Sequence, residues 1–261
     1  MKVLFVGDVV GSVGRAMVQR YIPQLREEYA LDLVICNGEN AAHGKGLTRK
    51  LYYQLLNCGV DVITMGNHTF AKEDILKFID EADRLVRPMN MEPFEAGQST
   101  CVVEVNGFKV AVSNLCGEIF INTTSDSPFV CMKHILEDYQ DCDLHFVDFH
   151  AEATSEKIAF TYAFKDSCAA IVGTHTHVQT ADERIVDGCA AISDLGMCGP
   201  YHSVLGRDID EVLTRFTSDE KTRYKIAEGD GVFCGLIVEI DEKTRRAVSL
   251  KRIQIRPEGE E

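Results

Sequence analysis

Five short apolar runs, each followed closely by residue types that bind metals, restrict the fold of this chain more than any other feature of its sequence. They occupy 2–6, 33–36, 60–65, 144–149 and 168–172. The first, Val3-Leu4-Phe5-Val6, is continuously apolar, which is the pattern of a strand buried on both faces. Just past the five runs stand Asp8; Glu39 and Asn40; Asn67 and His68; His150; and His175 and His177. Helical patterns fill the intervals, with helices expected over 15–29, 47–58, 71–80, 131–139, 155–164 and 209–216. Alternation of strands and helices predicts an α/β fold. In open α/β sheets, ligands gather beyond the carboxyl ends of the strands, where all of these residues lie.

The remaining segments add connections. Asn106-Gly107 marks a hairpin between 101–105 and 108–113, and Asp187-Gly188 marks another. Arg87-Pro88-Met89-Asn90 reads as an extended turn carrying a cation, 117–130 and 194–206 as loops, and 232–240 and 247–255 as closing strands. No linker or internal repeat interrupts the chain, so one domain over 1–261 is expected.

Charge and cysteine content exclude several functions. The formal charge is -14, from 41 acidic against 27 basic residues. A field of that sign repels long nucleic acids and anionic membrane surfaces, but leaves room for a small anion where cations gather. The acidic runs at Glu27-Glu28 and 258–261 read as solvated surface. No long apolar segment opens the chain, because Asp8 interrupts the first run, and a cytoplasmic protein is expected. Of the ten cysteines, Cys36, Cys168 and Cys234 sit inside apolar runs and no Cys-x-x-Cys occurs. They read as reduced core residues rather than a disulfide framework.

Two nucleotide motifs can be set aside. Gly7, Gly11 and Gly14 lack dinucleotide-binding spacing, although they leave the backbone free to approach a phosphate. The stretch Gly38 to Lys45 is one residue too long for a P-loop, and Gly46 stands where Ser or Thr belongs. Taken singly, the strand-end residues have plain readings: Asp8 as a helix cap, Asn67 in a left-handed turn, His150 as a half-buried imidazole. Five strands ending alike point instead to a metal site. Carboxylate, carboxamide and imidazole donors suit manganese, iron, zinc or cobalt better than calcium. Such a set of donors exceeds the needs of one ion and matches two metals sharing a carboxylate.

In order, Gly7-Asp8, Gly38-Glu39-Asn40, Gly66-Asn67-His68, the strand-end His150 and Gly173-Thr174-His175-Thr176-His177 resemble the motifs of calcineurin-like metallophosphoesterases. Gly7-Asp8-Val9-Val10-Gly11, Gly38-Glu39-Asn40-Ala41-Ala42, Asp148-Phe149-His150-Ala151-Glu152 and the stretch 173–182 narrow the resemblance to the YmdB-like bacterial cyclic-nucleotide phosphodiesterases. It covers nearly the whole chain and implies a four-layer α/β/β/α sandwich. It also implies that Asp8, Glu39, Asn40 and His177 hold one metal, and Glu39, Asn67, His150 and His175 the other. His68 would stay free of metal and protonate the leaving alkoxide, a contribution of about 10²–10⁴-fold. Two departures from the wider superfamily stand out: Val10 replaces the usual histidine of the first motif, and Glu39 an aspartate. Asn40 is the expected substitute ligand, and the lost nitrogen favours iron or manganese.

Two divalent cations, less the charges of Asp8, Glu39 and a bridging hydroxide, leave a single positive charge, matched to a phosphodiester monoanion. The expected activity is therefore hydrolysis of a small phosphodiester, a 2′,3′- or 3′,5′-cyclic nucleotide, by hydroxide held between two metals. The alternatives are a phosphomonoesterase acting on nucleotides or phosphoproteins, and a metal-stabilised regulatory protein that binds nucleotide or a partner with incidental turnover. His43, Lys45, Arg87 and Asn90, with His202, are candidates for the substrate rim, and each reads equally well as a solvated loop residue. A homo-oligomer is plausible for an enzyme of this kind.

Overall fold

The computed structural model describes residues 1–122 and 124–259, and alternation within its strands decides how they layer. In β1 (Lys2–Val6) Leu4 and Val6 face one side and Val3 and Phe5 the other, and all four are buried. Parallel to β1 lie β3 (Leu33–Asn37), then β4 (Val62–Thr64) and β5 (Leu85–Val86). On its other side β13 (Gly231–Asp241) runs antiparallel, followed by β12 (Met197–Pro200) and β2 (Asp8–Val9), while β14 (Arg246–Ile255) branches from β13. The second sheet runs β10 (Arg184–Val186), β11 (Cys189–Ile192), β9 (Ala170–Thr174), β8 (Leu144–His150), β7 (Phe108–Cys116), β6 (Thr100–Val105), with β11, β9, β8 and β7 mutually parallel.

Side chains from the two inner faces form the central core. Val3, Phe5, Leu33, Ile35 and Val62 meet Val110, Val112, Phe146, Val172 and Ala190, and Phe5 packs edge-on against Phe146 at 5.6 Å. On the outer face of the first sheet, α1 (Gly11–Tyr29) brings Val18, Ile22 and Leu25, and α2 (Arg49–Asn57) Leu55, against Leu4, Val6, Val34 and Cys36. The second sheet is covered by Met132 and Ile135 of α3 (Pro128–Asp138) and Phe160 and Phe164 of α4 (Thr154–Phe164). The result is the expected four-layer α/β/β/α sandwich. Each large side chain buried in it is worth about 1.5–3 kcal/mol. A fifth helix, α5 (Ile209–Thr217), is capped by Asp208, whose side chain accepts from the Glu211 N–H.

The structure departs from the sequence expectations in four places. The segment expected as a helix over 71–80 forms two 3₁₀ turns, Glu73–Lys77 and Ile79–Glu81. Phe78, at φ -146°, breaks the spiral between them. The stretch 194–206, expected as a loop, contains β12, which pairs with β2 and β13. Helix α1 starts at Gly11, a turn earlier than expected. Gly7 and Gly14 do not make room for a phosphate: a Cβ on either would collide with the carbonyl oxygen of Gly196 or Cys198, so these glycines admit the strand β12 and the turn before it. Thr123, within the expected loop 117–130, and Glu260 and Glu261 of the acidic run lie outside the described residues. All ten cysteines are free, eight of them buried. Among the described residues, no helix is long and apolar enough to cross a membrane.

Candidate metal centre

Parallel pairing is what assembles the site. Val6 is in register with Cys36 and Asn37 with Thr64 in one sheet, and Cys116 with His150 and His150 with Thr174 in the other, so the carboxyl ends of both sheets end level. Buried hydrogen bonds then tie the sheets together at that end. Asp148 accepts from Asn37 Nδ2 (3.0 Å) and from the Thr64 hydroxyl, and Asn114 Oδ1 accepts from the Met65 N–H (3.1 Å).

On this floor Glu39 is the central group. Its Oε1 lies 3.3 Å from His150 Nε2, 3.3 Å from His68 Nδ1 and 3.0 Å from Asn40 Nδ2, and its Oε2 accepts the His68 N–H at 2.9 Å. Glu39, His150 and His175 bring ligand atoms within 4.8 Å of one another. Asn67 Oδ1 lies 2.9 Å and His175 Nδ1 3.0 Å from His150 Nε2. The second group forms around Asp8, whose Oδ1 is 3.8 Å from His177 Nε2 and 3.4 Å from Asn40 Nδ2; Asn40 Nδ2 is 3.1 Å from His177 Nε2. The structure thus brings the seven residues expected as ligands into two adjoining groups, with Glu39 touching His150 of one and Asn40 of the other. A half-turn of the Asn40 carboxamide exchanges Nδ2 for Oδ1 and gives that cluster an oxygen donor.

The donor set fits metal ions because each imidazole has one nitrogen already committed. His150 Nδ1 bonds the Thr174 hydroxyl (2.9 Å), which itself donates to Asp148 Oδ1 (2.7 Å). His177 Nδ1 donates to the Leu205 carbonyl (3.0 Å), and His175 Nε2 lies 3.1 Å from Glu152 Oε2. Such partners fix the tautomer and leave the other nitrogen's lone pair facing inward, as in metal-binding histidines generally. His175 and His177 stand at φ 105° and 66°, left-handed backbone that costs of order 1–3 kcal/mol per residue. The Asp8 carboxylate, accepting the His175 N–H at 3.1 Å, and Asp194, accepting the Thr176 N–H at 2.9 Å, hold the loop in that shape.

Charge within the cluster is strongly displaced. Burial pushes Asp8 up to about 6, against the pull of His177 and His150. Burial also opposes ionisation of Glu39, but His150 and His68 hold it well below the usual carboxylate range. His150 is held up at about 9: burial works against its charge, and Glu39, Asp8 and Asp148 outweigh it. Burial and the neighbouring His150 push His175 down to about 3, so it is a neutral imidazole at physiological pH. Burial raises Asp148 as well, despite its three donors. The protein itself supplies one proton, on His150, where several acceptors converge; a cation supplies the same compensation with more charge.

The rim differs from the sequence expectation. Arg87 is buried, and its guanidinium is spent on the carbonyls of Pro88 (2.8 Å), Ala96 (2.9 Å), Met89 (3.2 Å) and Phe94, so it braces the 88–96 loop. Asn90 is a buried clamp, donating to Cys116 O and Asp126 O and accepting from the Cys116 N–H. His43 is exposed, at φ 54°, and does not line the pocket over the centre; His202 packs against Tyr201. Of the expected rim only Lys45 lines that pocket, a space of about 290 Å³ bounded also by Glu152, Leu205, Arg207 and Tyr224. Sequence reasoning did not single out Thr174, Asp148 or Glu152 as supports, although each lies within two residues of a candidate ligand. Arg207 and Tyr224 carried no such signal.

Known proteins resemble this chain over nearly its whole length. A 2′,3′-cyclic-nucleotide 2′-phosphodiesterase of Bacillus subtilis (strain 168) is 46% identical over 256 residues, covering 98% of this chain and 97% of that protein. Among solved structures, one described as a novel phosphatase from Mycoplasma pneumoniae superposes with a TM-score of 0.93 at 40% identity, over 98% of this chain and 93% of that one. A hypothetical protein from Thermus thermophilus gives 0.91 at 35% identity, over 98% and 99%. The model of the YmdB-like protein family matches residues 4–253, which takes in all five strand ends, and the chain belongs to that family.

Proposed function

We propose that this protein is a phosphodiesterase that opens 2′,3′-cyclic nucleotides, using two metal ions held by Asp8, Glu39, Asn40 and His177 and by Glu39, Asn67, His150 and His175. The observation that carries the reading is the set of three imidazoles, each tied at one nitrogen and turning the other toward a buried carboxylate, His150 and His175 toward Glu39 and His177 toward Asp8. The 46% identity to a 2′,3′-cyclic-nucleotide phosphodiesterase supports the substrate class. Iron or manganese suits this donor set best, because carboxylate and carboxamide oxygens make up more than half of it.

When bound, such ions neutralise phosphoryl charge and lower the pKa of water enough to furnish a nucleophile near neutral pH. The chain's own residues do the rest. Glu39 and Asp8 set the charge of the centre, and Glu152, Thr174 and the Leu205 carbonyl keep the imidazoles oriented. His68 is half-buried at the pocket, with Nδ1 2.9 Å from Asn40 Oδ1. With the Asn40 oxygen turned toward the metals, Asn40 Nδ2 donates to His68 Nδ1. That puts the ring proton on Nε2, the atom from which it passes to the departing ribose oxygen.

The test is hydrolysis of 2′,3′-cyclic AMP by manganese-loaded protein. His68→Ala is expected to lower kcat by about 10²–10⁴-fold while metal content stays at wild-type level. Asp8→Ala is expected to lose both metal and activity. A fully loaded wild type that leaves the diester intact would sink the proposal. The Mycoplasma pneumoniae relative described as a phosphatase supports a second reading, a phosphomonoesterase, which the same assay on open 2′- and 3′-monophosphates decides.

A further inference from the structure

The pocket over the centre has two chemically different parts. One is polar and contributed by the candidate ligands Glu39, Asn40, His175 and His177 together with His68; the other is a ledge of Leu205 and Tyr224 beside Lys45 and Arg207. Leu205 is 48% and Tyr224 44% exposed, so the ledge offers apolar surface to a ligand. At about 290 Å³ the space is at the small end of ligand pockets, which suits a compact molecule rather than a polypeptide.

Several contacts fix Tyr224. The Arg207 guanidinium lies 5.0 Å from the ring centroid and is itself locked on Glu211, at 2.6 and 2.7 Å from Nη2 and 3.1 Å from Nε. The Thr222 hydroxyl donates to the same carboxylate at 2.6 Å. Beneath the ring lies Gly44, at φ 80°, where any Cβ would meet the Tyr224 hydroxyl and the Ile226 side chain. The ring therefore rests on the loop that carries Glu39 and Asn40, and only glycine lets it do so. Lys45 differs from Arg207. Its ammonium is exposed, 5.2 Å from the same centroid, and among the described residues it has no carboxylate within ion-pair distance. A long, unpaired cation is free to swing aside or to meet an acceptor on a ligand.

We infer that Tyr224 and Leu205, with Lys45 as a mobile cover, form the subsite for the nucleobase of the substrate. The inference rests on the function proposed above and adds what that reading leaves open, namely which part of the chain recognises the group attached to the diester. A cyclic phosphate alone has no use for an immobilised ring beside the metal ligands. A nucleoside does, because the faces of bases and of tyrosine stack whatever the base, and a ring held in place beforehand loses little freedom on binding. The subsite thus favours cyclic nucleotides over cyclic phosphates without a base and discriminates little among bases.

The deciding experiment compares kcat/KM of the manganese-loaded protein for 2′,3′-cyclic AMP and for glycerol 1,2-cyclic phosphate, which has no base. Tyr224→Ala is expected to lower the ratio of the two values on the order of tenfold, through KM for the nucleotide. Tyr224→Phe, which keeps the ring and gives up only a 3.4 Å bond to the Gly44 carbonyl, is expected to keep the ratio. An unchanged ratio in Tyr224→Ala, with the wild type active, overturns the subsite and leaves the phosphodiesterase reading intact. A wild type inert on both diesters overturns that reading instead. The subsite is then decided by calorimetric binding of adenosine 2′-monophosphate: weaker binding to Tyr224→Ala upholds it, equal binding overturns it.

Discussion

At the scale of single residues, the proton on His150 and a metal bound there would exclude each other. His150 has its folded pKa raised to about 9 from an unfolded value of 6.5. Its contribution to stability is therefore fully present below 6.5 and is lost as pH rises through 9. Asp8, raised from 3.8 to about 6, acts in the same direction at lower pH. Metal binding has the opposite sign, because the ligands must be deprotonated to receive it. The chelated protein should lose thermal stability between pH 6.5 and 9, and the rise in Tm on adding saturating manganese should grow over the same interval. Differential scanning calorimetry at several pH values reads both slopes. A flat profile for the chelated protein in that range would refute a proton held on His150.

At the scale of elements, the loop 174–177 depends on a buried pair behind it. Lys157 of α4 donates to the Thr174 carbonyl (2.9 Å) and to Asp194 Oδ2 (2.8 Å), and Asp194 also accepts the N–H groups of Thr176 and Gly196. Both side chains are buried. Lys157→Met leaves Asp194 buried and uncompensated, a loss of about 3–5 kcal/mol, to be measured by urea unfolding of the chelated protein. Removing an idle surface lysine would instead shift the midpoint hardly at all. None of this was readable from the sequence, where Lys157 occupies a place in a helix that usually faces water. The strand ends were readable because apolar runs announce buried strands and a His-x-His or Gly-Asn-His beyond them is rare. Strand β12 was missed because four residues that include Gly and Pro, Met197-Cys198-Gly199-Pro200, carry no strand period. Arg87 was misassigned for a related reason. A lone cation in a turn looks like a ligand-binding group, and only tertiary contacts reveal that its donors are spent on backbone carbonyls.

At the scale of the whole molecule, the centre lies where the two sheets meet. Asp8, Glu39, Asn40 and Asn67 come from the first sheet and His150, His175 and His177 from the second, above a shared core in which Phe5 meets Phe146. Neither sheet alone supplies the whole set of candidate ligands, and neither can bury its inner face alone. Unfolding should therefore be one cooperative transition, with far- and near-ultraviolet circular dichroism melting together. Manganese should move that single transition upward, by about 2.7 kcal/mol of stability at a free concentration a hundred times Kd. Phe146→Ala, which removes a ring from between the sheets, should cost about 3–5 kcal/mol and lower the transition as one step. Two separated transitions in the wild type, only one of them responding to manganese, would mean that the sheets fold independently and that the site is assembled only after they dock.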